Sequence, residues 1–216
     1  MEYAQLNEAR TEAIQVTTHG NVEWDATHFC PASALTPDEA EYFRVVPLTV
    51  NEPPAFDPLT QSVMRNGCEQ VGGVWQYRWD VVELFATQEE KDAALALDRA
   101  SKAAVKVEAI KAERDRRKFN GVRVGTQWLH TDTYSRTQWL GMVIMGASLP
   151  AIAWTTMDGT SVTTSQTLAG AVFQGTAQLD ATLFGYAKSL ITQVEAAADP
   201  ASVDITAGWP LTYGAV

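Results

Sequence analysis

From Thr87 to Lys118 the chain runs without a Gly or a Pro, and Ala, Lys, Glu, Leu and Arg dominate the run. An α-helix is the natural outcome. Nothing in the stretch breaks the i to i−4 ladder, and most of its side chains lose little freedom in helical form. Thr87 with Glu90 three residues later forms a capping box at the start, and the cations among Glu113 to Lys118 suit the negative end of the helix dipole. At 1.5 Å per residue, about 30 residues span roughly 45 Å. A helix of that length must bury a stripe somewhere. Ala93, Leu97, Ala100, Ala104 and Val107 follow a 4-3-4-3 spacing, with Val105 and Ile110 off the seam and Lys111 at its next position. Two readings fit this seam: a self-associating coiled coil, or a helix packed on its own domain. The heptads last for fewer repeats than a firm coiled-coil assignment needs.

Residues 1–86 read as short strands separated by turns. Ile14-Gln15-Val16 and Val22-Glu23-Trp24 flank Thr18-His19-Gly20-Asn21, which predicts a first hairpin. Thr36, Pro37 and Glu39 predict a brief capped helix through Phe43. Val45 to Val50 is strand-like, but Pro47 cannot donate to a ladder, which predicts an edge strand or a bulge. Asn51 to Pro58 forms a stiff connector, and Gly72-Gly73 predicts a hairpin into the period-two strand Trp75 to Val82.

Beyond the helix, Asn120-Gly121 predicts a two-residue turn between short strands, with Val122-Arg123-Val124 returning and Trp128-Leu129-His130 following. Asp132 or Ser135 can cap a helix carrying Trp139, Met142, Val143, Met145 and Leu149 until Pro150. Asp158-Gly159 predicts a second hairpin between Ile152–Thr156 and Thr160–Thr163. Ser165 then caps a helix to about Ala198, its buried face formed by Leu168, Ala171, Val172, Ala177, Leu179, Leu183, Ala187, Leu190, Ile191 and Val194. Ile205, Trp209, Pro210 and Tyr213 make the tail too aromatic for an ordinary loose end, so it should dock on a surface. The fold class expected is α+β. A small β-rich N-terminal domain (1–86) leads to a long central helix, a possible coiled coil (87–118). An α+β C-terminal domain (119–216) with two hairpins and a long helix follows.

The chemistry is as informative as the pattern. A net charge of −10, with the 16 basic residues gathered in the middle of the chain, does not suit phosphate neutralisation, so no nucleic-acid partner is expected. No stretch has the roughly 18 apolar residues of a membrane span, and the start MEYAQLNEAR lacks a basic and apolar leader, so a soluble, unsecreted chain is expected. Cys30 and Cys68 are expected to be free, buried thiols. His19, His28 and His130 fall on separate elements. His130 with Asp132 could share a strand face, but surface or hairpin polar contacts are the expected role for them. Cys30 beside His28 lacks an orienting third group, and no phosphate-binding loop, nucleophile elbow or zinc-protease motif occurs. Trp75, Trp79, Trp139 and Trp154 sit at periodic apolar positions that suggest core, although flat rings also suit sugar stacking. No enzyme activity, cofactor or metal is expected.

Three stretches resemble the N-terminal β segment of small tail-fibre and tail-fibre-associated proteins of tailed phages: Phe43–Pro54 (FRVVPLTVNEPP), Phe56–Val63 (FDPLTQSV) and Gly73–Val82 (GVWQYRWDVV). From about Ala112 to Ile205 the chain is similar to an uncharacterised domain family at the C-terminus of phage tail-fibre proteins. That likeness is carried by Arg114-Asp115-Arg116-Arg117, Phe119-Asn120-Gly121, Asp132 to Arg136, Trp154-Thr155 before Asp158-Gly159-Thr160, and the last helix. Trp209 to Val216 departs from the pattern. The resemblance implies a non-catalytic tail-fibre or baseplate component that serves tail assembly and host attachment. Such a protein is made in the bacterial cytoplasm and carried in the virion tail. With the long capped helix it implies a homo-oligomer, a trimer, that meets other tail or baseplate proteins, and a host surface glycan is a further candidate partner. Two alternatives stay open: an assembly chaperone not retained in the virion, and a glycan-binding or glycan-cleaving envelope protein.

Overall fold

Strand alternation and turn chemistry build the first part of the chain. The computed structural model describes residues 2–17, 21–25 and 28–214, with 14–30 as backbone alone, and the chain forms two compact units, Met1–Leu95 and Ala96–Val216. The fold is mixed α+β, as expected.

In the first unit, β1 (Glu2–Leu6), β2 (Ala13–Thr17), β5 (Val45–Thr49), β6 (Gln61–Val71) and β7 (Val74–Glu83) form a curled sheet in the order β2-β1-β5-β7-β6. β3 (Asn21–Asp25) and β4 (His28–Pro31) pair separately. The predicted first hairpin is redrawn, because β2 pairs antiparallel with β1 and β3 with β4, while the turn at Thr18–Gly20 lies outside the described residues. α1 (Pro37–Tyr42) carries the full predicted capping box: Thr36 Oγ1 accepts from the Glu39 amide, and the Thr36 amide donates 2.8 Å to Glu39 Oε2.

Gly72 and Gly73, at φ 61° and 85°, turn β6 into β7 as expected. Trp75, Tyr77 and Trp79 alternate onto the face that packs with Ala4, Leu48 and Cys68. Burial, reinforced by the Glu2 carboxylate that accepts its hydroxyl, pushes the Tyr77 phenol up to about 12, so it stays a donor. Pro47 corrects the edge-strand expectation. β5 lies inside the sheet, between β1 and β7. It tolerates the proline because its parallel ladder to β7 is two pairs long and begins at Leu48, past the missing donor.

α2 (Gln88–Lys118) is one continuous helix whose start matches the predicted box, with the Glu90 amide donating 3.2 Å to Thr87 Oγ1 and the Thr87 amide 3.2 Å to Glu90 Oε2. The division between the units falls within it.

In the second unit, α4 (Gln166–Ala196) is the spine. Ala169, Val172, Thr176, Leu183, Ala187, Leu190 and Val194 form one buried stripe which, with the half-buried Leu179, runs at spacings of three and four. The first half of the stripe packs on β8 (Val122–Val124), β9 (Gln127–Leu129), α3 (Thr133–Met145), β10 (Ala153–Thr155) and β11 (Ser161–Thr163). Trp139 lies at the centre, its ring 4.3 Å from that of Trp154. The second half packs on Ala103, Val107 and Ile110 of α2, and on Trp209.

The tail docks as expected. α2 and α4 run antiparallel, and cations along one side of α2 hold the tail's carbonyls: Arg99 to Ala197 at 3.0 Å, Lys106 to Val203 at 2.8 Å and Arg117 to Pro210 at 3.2 Å. The β10–β11 hairpin turns at Asp158-Gly159 as predicted. Asn120-Gly121 does not. β8 and β9 reverse after Val124, through Gly125, while Gly121, three residues past α2 and at φ 83°, donates its amide to the buried Thr131 hydroxyl at 2.9 Å.

Candidate functional site

Where α2, α3 and α4 meet, one guanidinium joins all three. Asp132 caps α3 by accepting from the amides of Tyr134 and Ser135, and the Ser135 hydroxyl and amide hold its carboxyl below the usual range. That cap fixes the first turn and aims Arg136 inward. Arg136 Nε donates 2.6 Å to the Thr131 carbonyl and Nη2 donates 2.6 Å to the Lys118 carbonyl. Both Nη atoms reach Asp180 of α4, at 2.6 and 2.9 Å. Both carboxylate oxygens of Asp180 are therefore engaged, and the pair brackets the three helices.

A groove of about 300 Å³ opens beside this bracket, between α3 and α4. Trp139 and Thr176 form its floor and Leu140 and Phe173 its rims. On α4 the row Phe173, Ala177, Asp180, Phe184 lies about a quarter-turn from the buried stripe. Phe173 and Phe184 are close to half exposed. Ala177, expected on the buried face, is exposed here. Ile144, one turn after Leu140 on α3, is 77% exposed. Arg114 lies 4.3 Å above the Phe184 ring.

The predicted seam on α2 divides. Val107 packs into the core against α4, whereas Ala93, Leu97, Ala100 and Ala104 are exposed, Leu97 at 74%. At about 100° per residue the exposed stripe sits roughly a quarter-turn from Ala103, Val107 and Ile110. One helix thus carries two apolar stripes, one of them covered by α4. The closing cations are more engaged than a solvated helix end would be, since Glu113 is bracketed by Arg116 and Arg117 at 2.6–2.7 Å. Those contacts hold its carboxyl down to about 2, with Arg116 the larger influence.

The chemical candidates are dispersed. His130 is half-buried after β9, and Cys68 is free and buried, which pushes its thiol up. The side chains of His19, His28 and Cys30 lie outside the described residues. Among the described residues no three His, Cys, Asp or Glu side chains group together as metal ligands would. Among the described residues no helix is long and apolar enough to cross a membrane.

The family model described as a domain of unknown function (DUF4376) matches residues 99–207, half of the chain. The chain belongs to that family. Its DUF4376 domain contains Arg136, Asp180, the groove and the covered stripe of α2, while Trp209, which closes the core between α2 and α4, and Tyr213, which packs on Trp128, lie just past the match. No curated protein and no solved structure matches the chain.

Sequence reasoning missed the groove and its bracket because Arg136 and Asp180 are 44 residues apart. A usable signal was present all the same. Two phenylalanines recur at Phe173 and Phe184 beside Asp180, off the apolar stripe of a helix that is otherwise consistently amphipathic.

Proposed function

We propose that the chain is a non-catalytic structural protein of a phage tail, in the tail fibre or baseplate, that contributes to tail assembly and host attachment. One observation carries the reading. The conspicuous unsatisfied surfaces are apolar faces suited to other proteins, while the charged cluster beside them is spent on holding helices together. The exposed α2 stripe around Leu97 suits self-association into a trimer, and the groove between Leu140 and Phe173 suits a neighbouring tail protein. The resemblance to tail-fibre proteins carried by the stretches from Phe43 to Val82 and from about Ala112 to Ile205 supports the same setting.

Mass spectrometry of purified particles tests this directly: the protein is expected among the virion components. Its absence from particles, with abundance in infected lysate, would sink the virion reading. That outcome would instead favour an assembly chaperone, whose need for an open apolar groove is the same.

A further inference from the structure

Asparagine precedes glycine twice in the sequence, at Asn66-Gly67 and at Asn120-Gly121. Both pairs can undergo the same reaction. A glycine amide nitrogen that loses its proton attacks Cγ of the preceding asparagine, because glycine has no Cβ to shield the nitrogen and lets the backbone bend towards the side chain. The fold holds the two pairs differently. We propose that Asn66 is a site of spontaneous deamidation in the folded protein, while Asn120 is shielded from it.

Asn66 and Gly67 form a bulge in β6. Arg65 stands opposite Trp79 and Cys68 opposite Tyr77, so two residues oppose the single Arg78 of β7 and the ladder is interrupted there. Asn66, Gly67 and Arg78 are all exposed, and Gly67 stands at φ 79°. Arg78 and Asp80 share one face of β7. Arg78 Nε donates 2.7 Å to the Asn66 carbonyl, and the Asn66 side-chain amide donates to Asp80 Oδ2. The first of these contacts matters most. That carbonyl belongs to the same peptide group as the Gly67 nitrogen, so loss of the amide proton places negative charge on an oxygen that a cation already holds. The guanidinium thus stabilises the anion that attacks.

At the other pair the attacking nitrogen is a committed donor. The Gly121 amide donates 2.9 Å to the hydroxyl of the fully buried Thr131. The Asn120 carbonyl accepts from the Tyr213 amide at 2.9 Å, and its side-chain amide donates to the Tyr213 carbonyl. Reaction there would require these bonds to break first.

At Asn66 the bond from the Gly67 nitrogen to Cγ forms as the bond from Cγ to Nδ2 breaks. The amide proton leaves with Nδ2 as ammonia, and a succinimide closes. Water then opens the ring at Cγ to give aspartate, or at the main-chain carbonyl to give isoaspartate, with nothing oxidised or reduced. Either product exchanges a donor for a carboxylate beside Asp80, so a hydrogen bond across the hairpin becomes a like-charge contact. Isoaspartate also routes the backbone through Cβ and Cγ, lengthening a strand that already carries a surplus residue.

Peptide mapping by mass spectrometry, on the purified full chain aged in mildly alkaline buffer with and without urea, tests the assignment. Both asparagines are expected to convert in urea and Asn66 alone in the folded protein. Arg78→Gln should slow the folded-state conversion roughly tenfold, the loss expected when a charge-assisted hydrogen bond to the attacking peptide is removed. Arg78→Lys, which keeps a cation, should slow it less. Asn66 left intact in the folded chain after an incubation that converts it in urea overturns the proposal. So does conversion of Asn120 at the rate of Asn66, or an unchanged rate in Arg78→Gln.

Discussion

Arg136 shows how much one side chain can decide in a domain of this size. Its guanidinium satisfies the Lys118 carbonyl at the end of α2, the Thr131 carbonyl before α3 and both oxygens of Asp180 on α4. Its loss takes this donor from the Asp180 carboxylate and the Thr131 carbonyl and leaves the Lys118 carbonyl to the Thr131 hydroxyl at 3.1 Å, all in a partly buried place. Arg136→Met is expected to destabilise the C-terminal unit by about 2 kcal/mol in urea denaturation followed by Trp fluorescence. Arg136→Lys should recover little of that, because a point-like ammonium cannot span the same acceptors.

Glu113 makes a pH-dependent prediction. Its carboxyl, ordinarily near 4.5, is held to about 2 in the folded chain. A depressed carboxyl adds stability that is full above the unfolded value and is lost as the pH falls from about 4.5 towards 2. Acid titration of the melting temperature should therefore be shallower over that window in Glu113→Gln, which should also be the less stable protein at neutral pH.

At the scale of elements, the ends of helices matter more than their middles. Gly121 leads out of α2 at φ 83°, and a Cβ built there would overlap the sulfur of Met157. Gly121→Ala therefore combines a left-handed backbone with a clash. It is expected to cost about 2 kcal/mol by chemical denaturation, against the small effect ordinary for Gly to Ala at a relaxed position.

The tail is part of the core despite lying at the edge of the DUF4376 match. Trp209 is buried among Leu183, Ala187 and Ile110, its indole donates 2.8 Å to the Ile205 carbonyl, and Tyr186 packs edge-on against it at 5.0 Å. Trp209→Ala should destabilise the second unit by about 3 kcal/mol. Cutting the chain after Ala207 should do at least as much, by the same measurement.

For the whole molecule, the open question of surface is which stripe of α2 faces other chains. Ala103, Val107 and Ile110 are covered by α4, while Leu97 stands in solvent. If the exposed stripe mediates self-association, Leu97→Asp should shift the protein from trimer to monomer in light scattering and leave the folding of each subunit intact. A wild-type protein that is monomeric at micromolar concentration would rule this stripe out as a seam.

Much of the architecture was legible because it is written in neighbouring residues. The boxes at Thr36–Glu39 and Thr87–Glu90, the reversals at Gly72-Gly73 and Asp158-Gly159, and the period of Trp75, Tyr77 and Trp79 all depend on spacings of a few residues. Local sterics and hydrogen bonding fix such features whatever surrounds them. What the tertiary structure alone decided was choice among equivalents. Pro47 is tolerated inside a sheet because a neighbouring ladder starts one residue later, and Asn120-Gly121 leads from a helix into β8 where it could equally have turned a hairpin. Likewise Arg136 found Asp180 across 44 residues. Each of these turns on a partner distant in the chain, and a distant partner leaves no spacing to read.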